Sequence, residues 1–246
     1  MAEAQSLGGR EQGRGELTHV LFDFFGTLVR YSPSWTEQGY PRAHAILKRA
    51  GSRLSYEAFI VQWDAIFSDL EARAEASLEE YSMDQVCETF LAEILPAPPS
   101  IELRGEFCDT YLAEWNKGVQ YIPEVGPLLR DLAQRFTLAL VTNTHSAGFV
   151  RAHLEQLEVA QYFTSVVTSV EHGRRKPSPC IFLEALRQSS GVPRSALYVG
   201  DSFVADYQGA ARAELRCLLI DPEQRHAIAP CDRLHHIREL APLSRA

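Results

Sequence analysis

Three groups of polar residues in this sequence have side-chain types suited to chemistry on an anion. In the first group, Asp23 follows the apolar run 18–22 and precedes Gly26 and Thr27. A carboxylate in such a loop can act as a nucleophile. A nearby glycine lets backbone N–H groups approach and hold an anion. Taken alone, the pattern fits equally well an aspartate that only caps a turn or a helix.

The second group adds hydroxyl, amide and amine functions. Thr142 and Asn143 follow another apolar run, and both side chains are suited to holding phosphate oxygens. Thr144 or Ser146 could instead serve as the N-cap of the next helix. Lys176, which precedes a proline, would place a positive charge on a loop, and a solvated basic loop is the alternative.

The third group is a pair of carboxylates, Asp201 and Asp206, which follow the apolar run 196–200. Two aspartates close to Asp23 would repel it and each other unless a cation lay between them. Carboxylate oxygens are the ligands that Mg²⁺ prefers. Asp206 could alternatively interact only with the dipole of a helix N-terminus.

Short apolar runs that alternate with helical patterns must position these groups. Such alternation predicts a parallel sheet with helices on both faces, and strands buried on both faces are apolar throughout. Ligands of open parallel sheets bind at the carboxyl ends of the strands, where all three polar groups stand. The predicted strands are 18–22, 137–141, 165–169, 196–200 and 216–220.

The remaining chain divides into a tail, a core and an insertion. Residues 1–16 are polar and glycine-rich, which predicts a disordered tail, and they lack the apolar segment of a secretory signal. Residues 34–118 carry about four helical patterns and no convincing strand, which predicts a helical cap domain. The core would then comprise residues 17–33 and 119–246.

Composition excludes several classes of protein. The net charge of −8 argues against a nucleic-acid binder, which would show a basic face. No run reaches the roughly 20 apolar residues of a membrane span. Five cysteines, an odd number without a C-x-x-C pair, argue against a disulfide framework or a zinc site and favour the cytoplasm. They are Cys87, Cys108, Cys180, Cys217 and Cys231.

In their order along the chain, the polar groups resemble the four motifs of the haloacid dehalogenase-like superfamily. Those motifs are D-x-D-x-T, a Ser or Thr at a strand end, a Lys before a Pro, and a pair of acids after a glycine. The resemblance covers residues 18–240, and the helical insertion stands where subfamily I carries its C1 cap. The matching residues are Asp23, Phe25 in place of the second Asp, Thr27, Thr142, Lys176, Asp201 and Asp206.

The resemblance implies a Rossmann-like, doubly wound α/β core and a Mg²⁺-dependent phosphohydrolase of small phosphorylated metabolites. Asp23 would attack phosphorus and form an aspartyl phosphate, while Thr142 and Lys176 would hold and neutralise the transferring group. Gly26, Thr27 and Asn143 would contact the substrate. The implied ligands of Mg²⁺ are Asp23, the backbone carbonyl of Phe25, Asp201 and Asp206.

Phe25 departs from the family pattern, because the second Asp normally protonates the leaving group and then activates water. General acid–base help contributes about 10²–10⁴-fold in rate. Three explanations are open: a leaving group that needs no proton, different chemistry, or another acid. Candidates for another acid are His44, His145, Glu171 or a water molecule.

Different chemistry would mean a dehalogenase or a phosphonatase, both of which lack the second Asp. Dehalogenases of the superfamily carry a tyrosine there and replace the first acid of the fourth motif. Retention of Asp201 and Asp206 therefore favours phosphoryl transfer. A phosphonatase needs a cap lysine, for which Lys48 and Lys117 are the candidates. A catalytically impaired binding or regulatory module is a further alternative.

Substrate choice is expected to lie in the cap. Tyr31, Trp35, Arg42 and His44 follow the first motif and could face the site, although helix packing or exposure is the simpler interpretation. Phe59, Trp63 and Phe67 have the spacing of a helix core face. The expected oligomeric state is a monomer or homodimer.

Overall fold

The computed structural model describes residues 16–31 and 39–244, in which a six-stranded sheet forms the core. The sheet order is β5-β4-β1-β6-β7-β8, and all neighbouring strands are parallel. Strands β2 and β3 form a separate antiparallel pair. The strands are β1 (His19–Phe22), β2 (Val29–Tyr31), β3 (Val119–Tyr121), β4 (Thr137–Thr142), β5 (Phe163–Thr168), β6 (Ala196–Gly200), β7 (Arg216–Ile220) and β8 (Arg233–Leu234).

Among the described residues, four α-helices lie between β2 and β3, and the other five lie between β3 and β7. A π-helix, Phe203–Gln208, leads into the short helix that follows β6. The α-helices of the described residues are α1 (Pro41–Arg49), α2 (Tyr56–Ser77), α3 (Met83–Ile94), α4 (Ile101–Trp115), α5 (Val125–Ala133), α6 (Ala147–Gln156), α7 (Ser169–His172), α8 (Pro179–Gln188) and α9 (Gly209–Arg212).

Serine caps fix where three of the inserted helices begin. The side-chain oxygens of Ser55, Ser82 and Ser100 each accept a hydrogen bond from the backbone N–H three residues later. Each bond satisfies one of the N–H groups that a helix start leaves without an intrahelical partner. Ser82 also forms a capping box with Gln85. We refer to residues 41–115 below as the helical segment.

The sheet separates two hydrophobic clusters, and the helical segment has a third of its own. Side chains alternate along β1, so Val20 and Phe22 pack into one cluster while Leu21 packs into the other. Both faces of the sheet are therefore covered, which explains why its central strands are apolar throughout. Phe59 and Trp63 are fully buried in the third cluster.

These observations confirm the predicted α/β fold, and each of the five predicted strands is present, with β5 beginning two residues before the expected run. The sequence did not predict β2, β3 and β8, which have only two or three residues each. The β2–β3 pair brings the two ends of the helical segment together. The cap boundaries at 34 and 118 stay a prediction. All but one residue of the predicted tail lies outside the described residues.

Within the described ranges, no helix combines the length and apolar character needed to cross a membrane.

Candidate active site

The register of β1 with its two neighbours brings the predicted site residues to one edge of the sheet. The last residue of β1 is aligned with Leu140 of β4 and Val199 of β6. Asp23 follows β1 at the level where β4 ends at Thr142 and β6 ends at Gly200. Its backbone N–H donates to the Val199 carbonyl at 2.9 Å. Chain order reverses at β1, which is where open α/β sheets bind their ligands.

Three carboxylates and one amine meet at this edge. One oxygen each of Asp23, Asp201 and Asp206 lie within 4.8 Å of one another. Lys176 Nζ lies 2.8 Å from Asp23 Oδ1 and 2.6 Å from Asp206 Oδ1. Tyr198 Oη donates to Asp206 Oδ1 at 3.0 Å or to the main chain of β4. Lys176 and Asp206 are buried, whereas Asp201 is partly exposed.

Burial of this excess negative charge changes the proton affinities. Burial and the neighbouring Asp206 raise the pKa of Asp23 to about 6, although Lys176 opposes that shift. Burial and the other two carboxylates raise the pKa of Asp201 to about 7. Burial alone would lower the pKa of Lys176, but Asp206 and Asp23 outweigh it and raise that pKa to about 12. One ammonium group does not balance three carboxylates, so this oxygen-rich cluster can hold a metal cation.

The loop after Asp23 is shaped by its contact with Asp201. Gly26 has a φ of +81°, and a Cβ at that position would collide with the Asp201 carboxylate. The Gly26 N–H donates to the Val29 carbonyl at 2.8 Å, and Thr27 Oγ1 donates to Asp201 Oδ1 at 3.3 Å. Neither bond involves the carbonyl of Phe25, the backbone oxygen that the family resemblance implies for metal binding.

Asn143 holds the loop that carries the lysine. Its Nδ2 donates to the Lys176 carbonyl at 3.0 Å, and its Oδ1 accepts from the Lys176 N–H at 2.8 Å. The amide therefore orients the lysine towards Asp23, a positioning contact that the sequence did not predict. Its direct contact with substrate stays a prediction. Thr142 is buried, and its hydroxyl makes one long contact, 3.5 Å to the Asn143 carbonyl.

Asp206 organises the backbone at the end of β6. Its Oδ2 accepts from the N–H groups of Asp201 and Ser202, at 3.1 and 2.8 Å. A Cβ on Gly200 would overlap the Asp206 carboxyl group, so only glycine allows this close approach. The simpler interpretation of Asp206 as a partner of a helix dipole leaves out these contacts and its contact with Lys176.

The Phe25 ring belongs to an aromatic cluster beside the loop. Its centroid lies 5.6 Å from that of Trp115, 5.9 Å from that of Tyr31 and 6.4 Å from that of Phe149. Trp115 is the last residue of α4, Tyr31 belongs to β2 and Phe149 to α6. The sequence singled out Tyr31, but it gave no signal for Trp115 or Phe149, which come from distant segments.

These rings line a cavity of about 330 Å³ between the core and the helical segment. Of the three side chains considered as alternative acids, His145 lines this cavity. His44 is turned away, because its Nε2 bonds to the Leu54 carbonyl at 3.0 Å. Glu171 is about half exposed and pairs with Arg151 at 2.8 Å.

The two candidate lysines and Arg42 of the predicted cap do not line the cavity. Lys48 and Lys117 are exposed, and Lys117 Nζ lies 3.8 Å from Glu114. Neither lines the cavity. Arg42 is exposed, and Trp35 lies outside the described residues. Phe67, expected in a helix core face, also lines the cavity.

A polar network on the far side of the cavity joins the helical segment to the core. Arg175 Nη2 lies 2.7 Å from Glu71 Oε1, and Arg175 Nε lies 3.6 Å from Glu80 Oε2. His145 Nδ1 lies 3.2 Å from Glu80 Oε1, and Ser169 Oγ donates to Glu80 Oε2 at 2.6 Å. The sequence did not predict this network, because its contacting residues are 65 to 104 positions apart along the chain.

Comparison with known proteins identifies several relatives. The family model for haloacid dehalogenase-like hydrolases matches residues 17–214. The ribulose-1,5-bisphosphate 5-phosphatase of Halopiger xanaduensis is 27% identical over 221 residues, which cover 88% of this chain and 90% of that protein. The phosphoglycolate phosphatase of Salmonella typhimurium is 32% identical over 193 residues, which cover 74% of this chain and 73% of that protein.

Solved structures share the fold. A 2-haloacid dehalogenase from Pseudomonas syringae covers 93% of this chain and 99% of its own, with a TM-score of 0.72 and 24% identity. A HAD phosphatase from Thermococcus onnurineus covers 92% of this chain and 97% of its own, with a TM-score of 0.65 and 22% identity. At these identities the structures support the fold alone. The family match, together with the motif residues gathered at one sheet edge, shows that this chain belongs to the haloacid dehalogenase-like hydrolases.

Proposed function

We propose that this hydrolase is a Mg²⁺-dependent phosphohydrolase that acts on a small phosphorylated metabolite through an aspartyl-phosphate intermediate. The observation that carries the proposal is the cluster of Asp23, Asp201 and Asp206 around Lys176. Phosphoryl transfer needs charge neutralisation and positioning more than covalent help, and this cluster is suited to both. The named substrates of the two phosphatase relatives, ribulose bisphosphate and phosphoglycolate, agree with this class.

Each residue of the cluster has a distinct role in this proposal. A carboxylate oxygen of Asp23 attacks phosphorus, while Lys176 and Thr142 hold the oxygens of the transferring group. Gly26, Thr27 and Asn143 shape the loops that surround it. When bound, Mg²⁺ supplies positive charge to the phosphate oxygens. The residues that would hold it are Asp23, Phe25 through its backbone carbonyl, and Asp201, with Asp206 in support.

Phe25 limits the substrate, because no carboxyl group stands at the second position of the first motif. The leaving group must depart without a proton from that position, or another group must supply one. His145 is the one of the three side-chain candidates that lines the cavity. We also propose that residues 34–118 act as the cap and contribute their share of the cavity wall.

Two alternative chemistries have less support. A dehalogenase does not need the acids of the fourth motif, and Asp201 and Asp206 are both present with Asp206 tightly bonded. A phosphonatase needs a lysine in the cavity, whereas Lys48 and Lys117 are exposed. A non-catalytic module would leave the buried contact between Lys176 and Asp23 without a role.

A panel of phosphate esters and acyl phosphates, assayed with Mg²⁺ and with a chelator, tests the proposal. We expect phosphate release with Mg²⁺ and its loss with the chelator. Activity that chelation leaves unchanged would contradict the metal dependence. Metal-independent halide release from 2-haloacids, without phosphatase activity, would establish the dehalogenase alternative instead.

We also propose a cytoplasmic location, since all five cysteines are free. The monomer or homodimer expected from the sequence stays a prediction.

A further inference from the structure

The cavity beside residues 23–28, which we call the catalytic loop, has one wall made of rings. Phe25, Tyr31, Trp115 and Phe149 contact one another edge-to-face or stacked, with centroids 5.5 to 6.4 Å apart. The cavity volume of about 330 Å³ is twice the roughly 150 Å³ that holds benzene in an engineered protein interior. An aromatic group therefore fits in size and finds surfaces suited to stacking.

Phe25 links this wall to the chemistry. It stands where the proton donor of the family pattern would be, and its ring is also the part of the wall that belongs to the catalytic loop. One residue thus removes acid help from the leaving group and offers that group an aromatic contact. A leaving group that satisfies both conditions must be aromatic and stable as an anion.

We propose that the substrate is a monoaryl phosphate ester, whose leaving group is a phenol. This inference rests on the proposed phosphohydrolase function and names its substrate class. A phenol ionises near pH ~10, so it can depart as the phenolate, whereas an alcohol is a far weaker acid and needs a proton donor.

The reaction proceeds in two steps. A carboxylate oxygen of Asp23 forms a bond to phosphorus as the bond from phosphorus to the aryl oxygen breaks, and that oxygen leaves with the electron pair. The phenolate then takes a proton from water. A water molecule attacks phosphorus of the aspartyl phosphate as the bond from phosphorus to the Asp23 oxygen breaks, which restores the Asp23 carboxylate. One proton of that water stays on the inorganic phosphate, and the other combines with the hydroxide left when the phenolate was protonated.

The far side of the cavity limits what the ring can carry. Arg175 Nη1 is buried and has no hydrogen-bond partner among the described residues, so it can donate to an acceptor on the ring. The charge of Arg175 is already opposed by Glu71 and Glu80. A carboxylate on the ring would add to that negative charge, so we expect a neutral acceptor there.

Four phosphates separate the two conditions. Phenyl phosphate has a ring and a good leaving group, and benzyl phosphate has a ring and a poor one. Acetyl phosphate has a good leaving group without a ring, and cyclohexyl phosphate lacks both. With Mg²⁺, we expect phenyl phosphate to exceed cyclohexyl phosphate about 10²-fold or more in kcat/KM. Benzyl phosphate should have a lower kcat than phenyl phosphate. Acetyl phosphate should have a KM at least about threefold higher than that of phenyl phosphate.

Variants of the wall test whether the rings cause the preference. Phe149→Leu and Trp115→Leu should each lower the ratio of kcat/KM for phenyl phosphate over acetyl phosphate by about threefold or more. Phe136→Leu is the matched control, because Phe136 precedes β4 at the amino ends of the strands, opposite the site, and its ring does not line the cavity. That control should keep the ratio of the parent protein.

The outcomes separate this inference from the proposed function. A kcat for benzyl phosphate that equals that of phenyl phosphate would overturn the aryl assignment. So would a KM for acetyl phosphate as low as that for phenyl phosphate, or a ratio that Phe149→Leu and Trp115→Leu both leave unchanged. In these cases turnover still supports a phosphohydrolase. Failure of all four phosphates to react with Mg²⁺ present would overturn both proposals.

Discussion

The two sides of Asp23 differ in chemistry and in construction. On one side Asp201, Asp206 and Lys176 form a charged cluster, held by short hydrogen bonds at the ends of neighbouring strands. On the other side the cavity wall is aromatic, and its rings come from the catalytic loop, β2, α4 and α6. In the proposed function, the charged side would hold a metal ion and the phosphoryl group, and the aromatic side would receive the remainder of the substrate.

Because of this difference, substitutions on the two sides should have different effects. Asp23, Lys176 and Asp206 are buried and Asp201 is partly exposed. These charged groups lie close to one another, so a change in one alters the proton affinity of the others. The aromatic wall is held by ring packing, whose individual contacts contribute less. We therefore expect substitutions on the charged side to remove activity and those on the aromatic side to change substrate preference.

The largest effect is expected for Asp23→Asn. Loss of a nucleophile that forms a covalent intermediate should lower kcat on the order of 10⁴-fold or more. Because burial raises the pKa of Asp23, the neutral amide should not lower the free energy of unfolding. Steady-state kinetics and thermal unfolding measure both effects, with Asp131→Asn on the exposed face of α5 as the control. Activity within tenfold of the parent protein would remove Asp23 from its assigned role.

A gain in turnover of alkyl phosphates is expected for Phe25→Asp, which places an acid between the charged cluster and the aromatic wall. Turnover of alkyl phosphates such as benzyl phosphate should rise by up to about 10²-fold, the lower end of general acid–base contributions. Phe25→Leu removes the ring without adding an acid and should give no gain. If Phe25→Asp also gives none, a group other than residue 25 already supplies the proton.

The affinity of the charged side for Mg²⁺ should depend on pH. Asp23 and Asp201 have pKa values raised to about 6 and about 7, so the metal must displace protons from them at lower pH. Affinity should rise by up to about tenfold per pH unit for each displaced proton and level off above about pH 8. Calorimetric titration with Mg²⁺ measures this, and equal affinities at about pH 5 and pH 8 would contradict it.

The same pKa values determine in which direction the free energy of unfolding of the metal-free protein changes with pH. A carboxyl whose pKa is raised in the folded protein stabilises it fully only below the pKa of the unfolded chain, about 3.8. That contribution is lost as the pH rises through about 6 and 7. Stabilisation by Mg²⁺ should therefore increase over the same interval.

The smallest effect is expected where the helical segment meets the core. Glu71 and Arg175 form a partly exposed ion pair, with side-chain exposures of 32% and 10%. A double-mutant cycle with Glu71→Gln and Arg175→Gln should give a coupling of about 1 kcal/mol in the free energy of unfolding. Denaturant titration of the four proteins measures it. If the effects of the two single substitutions on the free energy of unfolding add to within about 0.3 kcal/mol, the ion pair does not stabilise the contact between the helical segment and the core.

Sequence reasoning indicated that the residues of the charged side lie together, and the structure brings them together, while their roles in catalysis and metal binding stay predictions. Their proximity could be expected because each of them belongs to a local pattern. An apolar run followed by Asp23, Thr142 or Asp201 marks a strand and its carboxyl end, and parallel strands bring those ends to one edge. The two contacts of Asn143 with the Lys176 backbone needed the structure, because no spacing in the sequence relates the two loops.

The aromatic side could not be predicted in the same way. Trp115 and Phe149 each have the apolar helix environment of an ordinary packing residue, and only the folded chain brings them to Phe25. The β2–β3 pair is equally hidden, since three-residue strands carry no detectable alternation. Long-range assembly, which has no local sequence signal, therefore determines the features that would select a substrate.

The most direct test of the account is to quench turnover of phenyl phosphate with acid in the presence of Mg²⁺ and measure the mass of the peptide that contains Asp23. We predict a peptide heavier by one phosphoryl group, on Asp23, which is absent from the Asp23→Asn variant and from enzyme treated with a chelator. Turnover of phenyl phosphate without any phosphorylated Asp23, together with an active Asp23→Asn variant, would contradict the account.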